Sequence, residues 1–292
     1  MTVQVGQIAT VTRVFTQDDF DRFAALSGDD NPIHVDPTFA ARSKFGRTVA
    51  HGMLLYAAVS AALSSCWPFL GCKQLVQELK FPSPTFVGDA VEIRIEVVDL
   101  MPGESLAEVS TAVVHTDGGF GLKGVMLVRL PGASAFQLRS GATTAQPPPA
   151  ESLKGMVVGQ RAALQRRVST AELADYAALV GERCPVFTDS NLARQAGFSD
   201  TPLPGALLGG LFSTLLGTRL PGAGTNYLKQ RLEFPAPAYP DQELTAEVEI
   251  VRVRPDKQLV NLATRCTTSA GLTVCCGEAL VLVSDVGNSE IS

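Results

Sequence analysis

One spacing recurs along this chain. Val5-Gly6-Gln7 returns as Val158-Gly159-Gln160, an offset of 158 − 5 = 153. At the same offset Gly28 meets Gly181, Pro32 meets Pro185, Phe45 meets Phe198, Gly52 meets Gly205, and Phe81-Pro82 meets Phe234-Pro235. A constant offset through six landmarks marks a tandem duplication, since independent sequences would not keep step. Whatever fold one copy adopts, the other must be able to adopt as well. Residues 131–155 break the pattern. They hold Pro147-Pro148-Pro149 and no apolar period, and read as a linker between a unit at 1–130 and a second at 156–292.

Within the first unit, Val5 to Phe15 reads as a strand. Thr16 then caps a short helix with Phe20, Phe23, Ala24 and Leu26 on its inner face. Asp36-Pro37 opens a second short helix that runs to about Lys44. Gly52 to about Ser65 is apolar on nearly every face, as expected of a helix buried within a domain, and it is too short to span a bilayer. Strand-like runs follow at Leu75–Phe81, Ala90–Leu100, Leu106–Thr116 and Gly119–Leu130, with turn signals at Pro102-Gly103 and Asp117-Gly118. The second unit has its own buried segment, Gly205–Leu216, and strands near Thr225–Phe234, Glu243–Val253, Leu259–Thr268 and Leu272–Val283. One long helix against an antiparallel sheet, twice over, is an α+β plan.

The chemistry concentrates in Ser27-Gly28-Asp29-Asp30-Asn31-Pro32-Ile33-His34. Gly28 and Pro32 argue for a turn, which can aim several polar side chains into one volume. A carboxylate beside an imidazole can hold a water and take its proton near neutral pH, and Asp29 with His34 is the expected pair. The same residue types also make turns and caps with no chemistry. Ala50-His51-Gly52-Met53 then opens the buried helix. Free N–H groups at a helix start carry partial positive charge, and a glycine there lets a ligand oxygen approach the backbone. Gly52 could equally do no more than ease a tight loop into the helix.

Taken together, S-G-D-D-N-P-I-H and A-H-G-M resemble the signature of the (R)-specific enoyl-CoA hydratase, or MaoC-like dehydratase, family of the hot-dog superfamily. The resemblance implies a double hot dog, each half a long helix wrapped by an antiparallel sheet. It implies Asp29 and His34 as the catalytic pair, Asn31 as a supporting residue of the loop, and the Gly52 N–H as the thioester-binding donor. Ser60, eight residues into the helix, matches a serine that the family keeps near its site. The implied reaction is reversible hydration of trans-2-enoyl thioesters to (R)-3-hydroxyacyl thioesters, with coenzyme A or acyl carrier protein as carrier and no cofactor or metal. The alternatives on the same fold are an acyl-CoA thioesterase and a non-catalytic acyl-thioester binding protein.

At the repeat offset Asp29 is matched by Glu182, Asn31 by Cys184, His34 by Phe187 and His51 by Pro204. The second copy is therefore expected to keep the scaffold and lose the site, with Glu182 a solvated surface carboxylate. Its more apolar residues, Phe187 and Leu203, become candidates for the wall of the acyl pocket. Pairing of two hot dogs should then occur within one chain, leaving room for a further homodimer.

A formal charge of −5 argues against a nucleic-acid partner, which would need a basic patch. The six cysteines form no C-x-x-C pair, and with three histidines no zinc pattern is visible. Free thiols and an N-terminus without a basic region and apolar run fit a cytoplasmic protein with no membrane partner.

Overall fold

The computed structural model describes residues 3–65, 72–130 and 152–286. Ten strands form one sheet: β1 (Ile8–Val14), β2 (Lys73–Lys80), β3 (Ala90–Met101), β4 (Leu106–His115), β5 (Phe120–Arg129), β6 (Arg161–Arg167), β7 (Asn226–Glu233), β8 (Glu243–Arg254), β9 (Leu259–Thr268) and β10 (Thr273–Leu282). The helices are α1 (Gln17–Ser27), α2 (Pro32–Val35), α3 (Pro37–Arg42), α4 (Gly52–Ser65), α5 (Thr170–Val180), α6 (Ser190–Gln195) and α7 (Gly205–Thr218). Every strand of the first half reappears at the offset read from the sequence, as 161 − 8 and 282 − 129 both show by giving 153. So do α1, α3 and α4, which return as α5, α6 and α7. Most of the linker, 131–151, lies outside the described residues; its end is pinned by a short bridge between Leu153 and Met156.

The two copies begin with the same local grammar. Thr16 caps α1 in a capping box with Asp19, and Ser169 caps α5 in one with Glu172. Both helices end on a glycine in the left-handed region, Gly28 at φ 85° and Gly181 at φ 73°, where a side chain would be strained. That glycine turns the chain off the helix and into the loop that carries Asp29 in one copy and Glu182 in the other.

The sheet order is β1-β3-β4-β5-β2-β7-β10-β9-β8-β6, antiparallel throughout. The two halves join where β2 pairs with β7, Val76 opposite Glu233 and Leu79 opposite Gln230. An Arg231–Glu78 ion pair of 2.7 Å crosses this seam. Inside the curve of the sheet lie α4 and α7, packed against each other and buried along nearly their whole length. Small residues let them and their neighbours approach: a Cβ on Gly209 would lie 2.9 Å from Met53 Sδ, and one on Gly210 would lie 3.1 Å from the Ser27 Cβ. Neither helix shows a polar face because each is covered by sheet on one side and by the other half on the other. No described helix is long and apolar enough to cross a membrane.

Candidate active site

A cavity of about 920 Å³ opens between the halves. Asp29, Asn31, His34 and Gly52 all line it, so the loop after α1, the short α2 and the start of α4 converge as expected from the sequence. Asn31 caps α2, its Oδ1 accepting the Ile33 N–H at 3.2 Å, and Pro32 supplies the first helical residue. This one turn carries His34. The His34 backbone carbonyl accepts from Gln17 Nε2 at 2.9 Å, and Thr48 in turn donates to Gln17 Oε1 at 2.7 Å.

The imidazole of His34 is 2.7 Å from the Val49 carbonyl through Nδ1. A carbonyl only accepts, so Nδ1 carries the proton and Nε2 keeps its lone pair. Burial lowers the His34 pKa below its ordinary value, with the nearby Asp29 carboxylate and the Val49 bond opposing it. Neutral His34 is the form that this environment favours near pH 7. His51 is fully buried, stacks on His34 with ring centroids 3.8 Å apart, and places Nε2 2.9 Å from the Asp29 carbonyl. Burial, then the neighbouring His34, pushes its pKa well below the ordinary value.

The Asp29 side chain is 1% exposed, and its two oxygens have different surroundings. Oδ2 accepts from Ser213 Oγ at 2.6 Å, whereas Oδ1 has no partner. Gly217 is what leaves that space: a Cβ there would lie 3.1 Å from Oδ1. A buried carboxylate oxygen with a free lone pair beside a cavity suits a water or a hydroxyl group. At Gly52, a Cβ would lie 2.8 Å from the Phe81 ring, so only glycine fits. Its N–H, at the first position of α4, has no acceptor among the described residues and borders the same cavity.

Asp29, His34 and His51 each bring a possible ligand atom within 4.8 Å of the others. A metal needs lone pairs that converge at bonding distance. Two stacked rings do not aim their nitrogens at one point, and His51 Nε2–H is engaged with the Asp29 carbonyl. The cluster is better built to hold a water than an ion.

Three placements expected from the sequence need correction, and all involve the second half. Ser60 lies on α4, but the serine that meets Asp29 is Ser213 on α7, its repeat partner (60 + 153 = 213). The same helix holds the rest of the loop: Thr214 Oγ1 donates to the Ser27 carbonyl at 2.8 Å, and Asn31 Nδ2 lies 3.5 Å from the Gly217 carbonyl. Repeat arithmetic flags Ser213 as an equivalent position, but only the packing of α7 against the Asp29 loop chooses it. Phe187 and Leu203 do not line this cavity. Phe187 packs with Cys184, Val186 and Ala193, and Leu203 belongs to the main core. The second half borders the cavity instead through Ser213, Leu216, Gly217, Tyr227 and Leu282. Finally, Glu182 is no surface carboxylate. It is 8% exposed, accepting from the Cys184 N–H at 2.8 Å and from Ser64 Oγ at 3.3 Å, and burial raises its pKa to about 7.

Comparison with known proteins agrees with this architecture. The chain is 42% identical over 130 residues to the (R)-specific enoyl-CoA hydratase of Aeromonas caviae, covering 44% of this chain and 97% of that protein. It is 34% identical over 129 residues to the 3-hydroxybutyryl-CoA dehydratase of Methylorubrum extorquens, covering 44% and 82%. A conserved hypothetical protein of Mycobacterium tuberculosis with a double hotdog fold superposes with a TM-score of 0.74 at 16% identity, covering 96% of this chain and 97% of that one. The fold is thus a double hot dog. The MaoC like domain model matches residues 3–118 and again 153–271, and the chain belongs to that family through both of its halves.

Proposed function

We propose that the chain is a hydro-lyase that adds water reversibly to trans-2-enoyl thioesters and yields 3-hydroxyacyl thioesters. The observation that carries this reading is the unpartnered Asp29 Oδ1 at a cavity it shares with His34 and the free Gly52 N–H. A water between Asp29 Oδ1 and His34 Nε2 donates one hydrogen to each, which turns its lone pair toward the substrate. The thioester oxygen accepts the Gly52 N–H, drawing electron density from C3. The water oxygen bonds to C3 as Asp29 takes one of the water's protons, and the protonated Asp29 then gives that proton to C2 and returns to the carboxylate. Dehydration retraces these steps. The balance closes with water and enoyl thioester alone, so the reaction calls for no metal, flavin or nicotinamide. The (R) configuration rests on the names of the related hydratases.

In this reading Ser213 holds Asp29 Oδ2 so that Oδ1 faces the substrate, and Asn31 supports the loop. The second half is part of the machinery although its own loop lacks the imidazole. The 1–130 and 156–292 units then work as one body. The test is crotonyl-CoA with the full chain, following loss of the enoyl absorbance and release of free thiol separately. Loss of the enoyl band without thiol release supports hydration. Thiol release identifies a thioesterase, and binding with neither signal identifies a non-catalytic acyl-thioester protein.

A further inference from the structure

Away from its solvent end, the cavity wall includes Thr85, Gly121 and Leu55, all buried. The Thr85 hydroxyl is 2.8 Å from Nε2 of His115, a half-buried residue at the end of β4 and the one histidine outside the Asp29 cluster. Gly121 makes room for this pair: a Cβ there would overlap Thr85 Oγ1 and lie 3.0 Å from His115 Nε2. The backbone of Thr85 has a separate task. Its carbonyl accepts the Ala50 N–H at 2.8 Å, two residues before Gly52.

The repeat separates what the fold needs from what it does not. At the offset of 153, Thr85 is matched by Ala238, His115 by Thr268, Gly121 by Val274 and Ala50 by Leu203. The backbone bond is present in the second half too, where the Ala238 carbonyl accepts the Leu203 N–H at 2.7 Å. The side-chain pair is not. Ala238 and Val274 are both buried, so apolar groups close that place. The Thr268 hydroxyl serves its own hairpin instead, accepting the Leu272 N–H at 3.3 Å. This turn therefore folds without the hydroxyl and the imidazole. A polar pair that the scaffold can dispense with, present only in the half that carries the catalytic loop and set in the wall of its cavity, points to a ligand.

Resting on the hydratase reading, we propose that Thr85, positioned by His115, is a specificity-determining residue that hydrogen-bonds a neutral oxygen substituent, hydroxyl or carbonyl, on the acyl chain of the substrate. The carrier stays at the solvent end, so the buried end of the cavity receives the acyl group. A threonine hydroxyl has one hydrogen and two lone pairs, and the bond to His115 uses one of these three. With His115 Nε2 protonated, the Thr85 O–H donates to a substrate oxygen. With Nε2 unprotonated, Thr85 Oγ1 accepts from a substrate hydroxyl. A carboxylate fits less well, because burying its charge calls for a cation. The cations that line the cavity, Arg42 and Lys44, are both exposed. With a plain hydrocarbon chain Thr85 and His115 still satisfy each other, so the preference is graded rather than absolute.

The experiment measures kcat/KM of the full chain for crotonyl-, pent-2-enoyl- and hex-2-enoyl-CoA, each against its ω-hydroxy counterpart. It is run on wild type, Thr85→Val, Thr85→Ser and His115→Phe. Wild type should prefer the hydroxylated thioester by about tenfold at one length or more, the scale of one neutral hydrogen bond. Thr85→Val, close in shape and with an apolar precedent in Ala238, should abolish that preference, chiefly through KM for the hydroxylated substrate. Thr85→Ser should restore it, and His115→Phe should shrink it several-fold. Absence of any preference in the wild type at all three lengths overturns the proposal. So does a loss in Thr85→Val that falls equally on plain and hydroxylated substrates, since the pair would then be structural. Calorimetric titration with the saturated, unreactive acyl- and ω-hydroxyacyl-CoA thioesters separates the subsite from the reaction. If no enoyl thioester is hydrated but the hydroxylated ligand binds more tightly and Thr85→Val removes the difference, the subsite stands and the hydratase reading fails. Hydration without preference sinks the subsite alone. With neither turnover nor a difference in binding, both fail.

Discussion

The Asp29 loop and the Glu182 loop are the same structure with opposite outcomes. Each follows a helix closed by a left-handed glycine, and each leans on the buried helix of the other half. At Asp29 the facing helix supplies Ser213 and then Gly217, which binds one carboxylate oxygen and leaves the other open. At Glu182 the position equivalent to Gly217 is Ser64 (217 − 153 = 64), and its hydroxyl occupies Oε2 while the Cys184 N–H occupies Oε1. The longer side chain has its oxygens satisfied, with no imidazole beside them. A site is lost here by filling the place of the water as much as by losing a histidine.

Breaking the contrast most severely means removing the pair itself. Asp29→Asn and His34→Ala should each reduce hydration by about 10³-fold, within the range for a positioned general acid or base. The double variant should be little worse, because both act on one water. In the wild type, kcat/KM should hold down to a pH below the ordinary histidine value of 6.5 and fall only as His34 takes a proton, since its pKa is lowered. Near-normal turnover in Asp29→Asn would mean that another carboxylate does the work.

Importing the closed site into the open one is the next test. Gly217→Ser places a side chain about where the water should stand and is expected to cost roughly 10²-fold in kcat, the cost of displacing a reacting group by about 1 Å. The reverse change, Ser64→Gly, should create no second activity. A fully active Gly217→Ser enzyme would show that Asp29 Oδ1 is not the oxygen used.

Smaller again is the effect of Ser213→Ala, about tenfold, from loss of one hydrogen bond to a charged group. Ser60→Ala should change turnover less. If Ser60→Ala is the more damaging variant, the cross-half assignment is wrong.

On turnover the least effect should come from Glu182→Gln, whose consequence is for stability. The folded-state pKa of Glu182 is about 7, above the ordinary 4.5, so the folded chain holds this proton more tightly than the unfolded one. Its favourable contribution is complete below pH 4.5 and is lost as pH rises through about 7. Glu182→Gln should therefore match wild type near pH 4 and gain roughly 1–3 kcal/mol in denaturant unfolding at pH 8. A wild-type advantage that grows with pH would mean that the carboxylate is stabilised by a charge partner.

Much of this was legible in residues. Apolar runs with glycine or proline at their ends located α4, α7 and every strand but β6 to within a few residues, because burial and turn geometry act locally. Asp29, His34 and Gly52 could be singled out because the groups sit in two short stretches of chain. Ser213, Gly217 and the burial of Glu182 could not, because each depends on which helix faces which loop across an interface between distant segments. Asn31 was visible as part of a motif, but its capping of α2 depends on the turn that forms around it.

Residue order alone specifies a duplicated scaffold, one loop rich in acid–base groups, and a second loop that has lost its imidazole. Repetition at a constant offset and local chain chemistry are one-dimensional properties, so they can be read in one dimension. Tertiary structure decided that the β2–β7 seam brings α7 under the Asp29 loop and α4 under the Glu182 loop. Side chains 184 and 118 residues apart thereby become hydrogen-bond partners. Packing also decided that one carboxylate keeps an open oxygen and the other does not, because that depends on whether the facing helix places a hydrogen atom or a hydroxymethyl group at the same position.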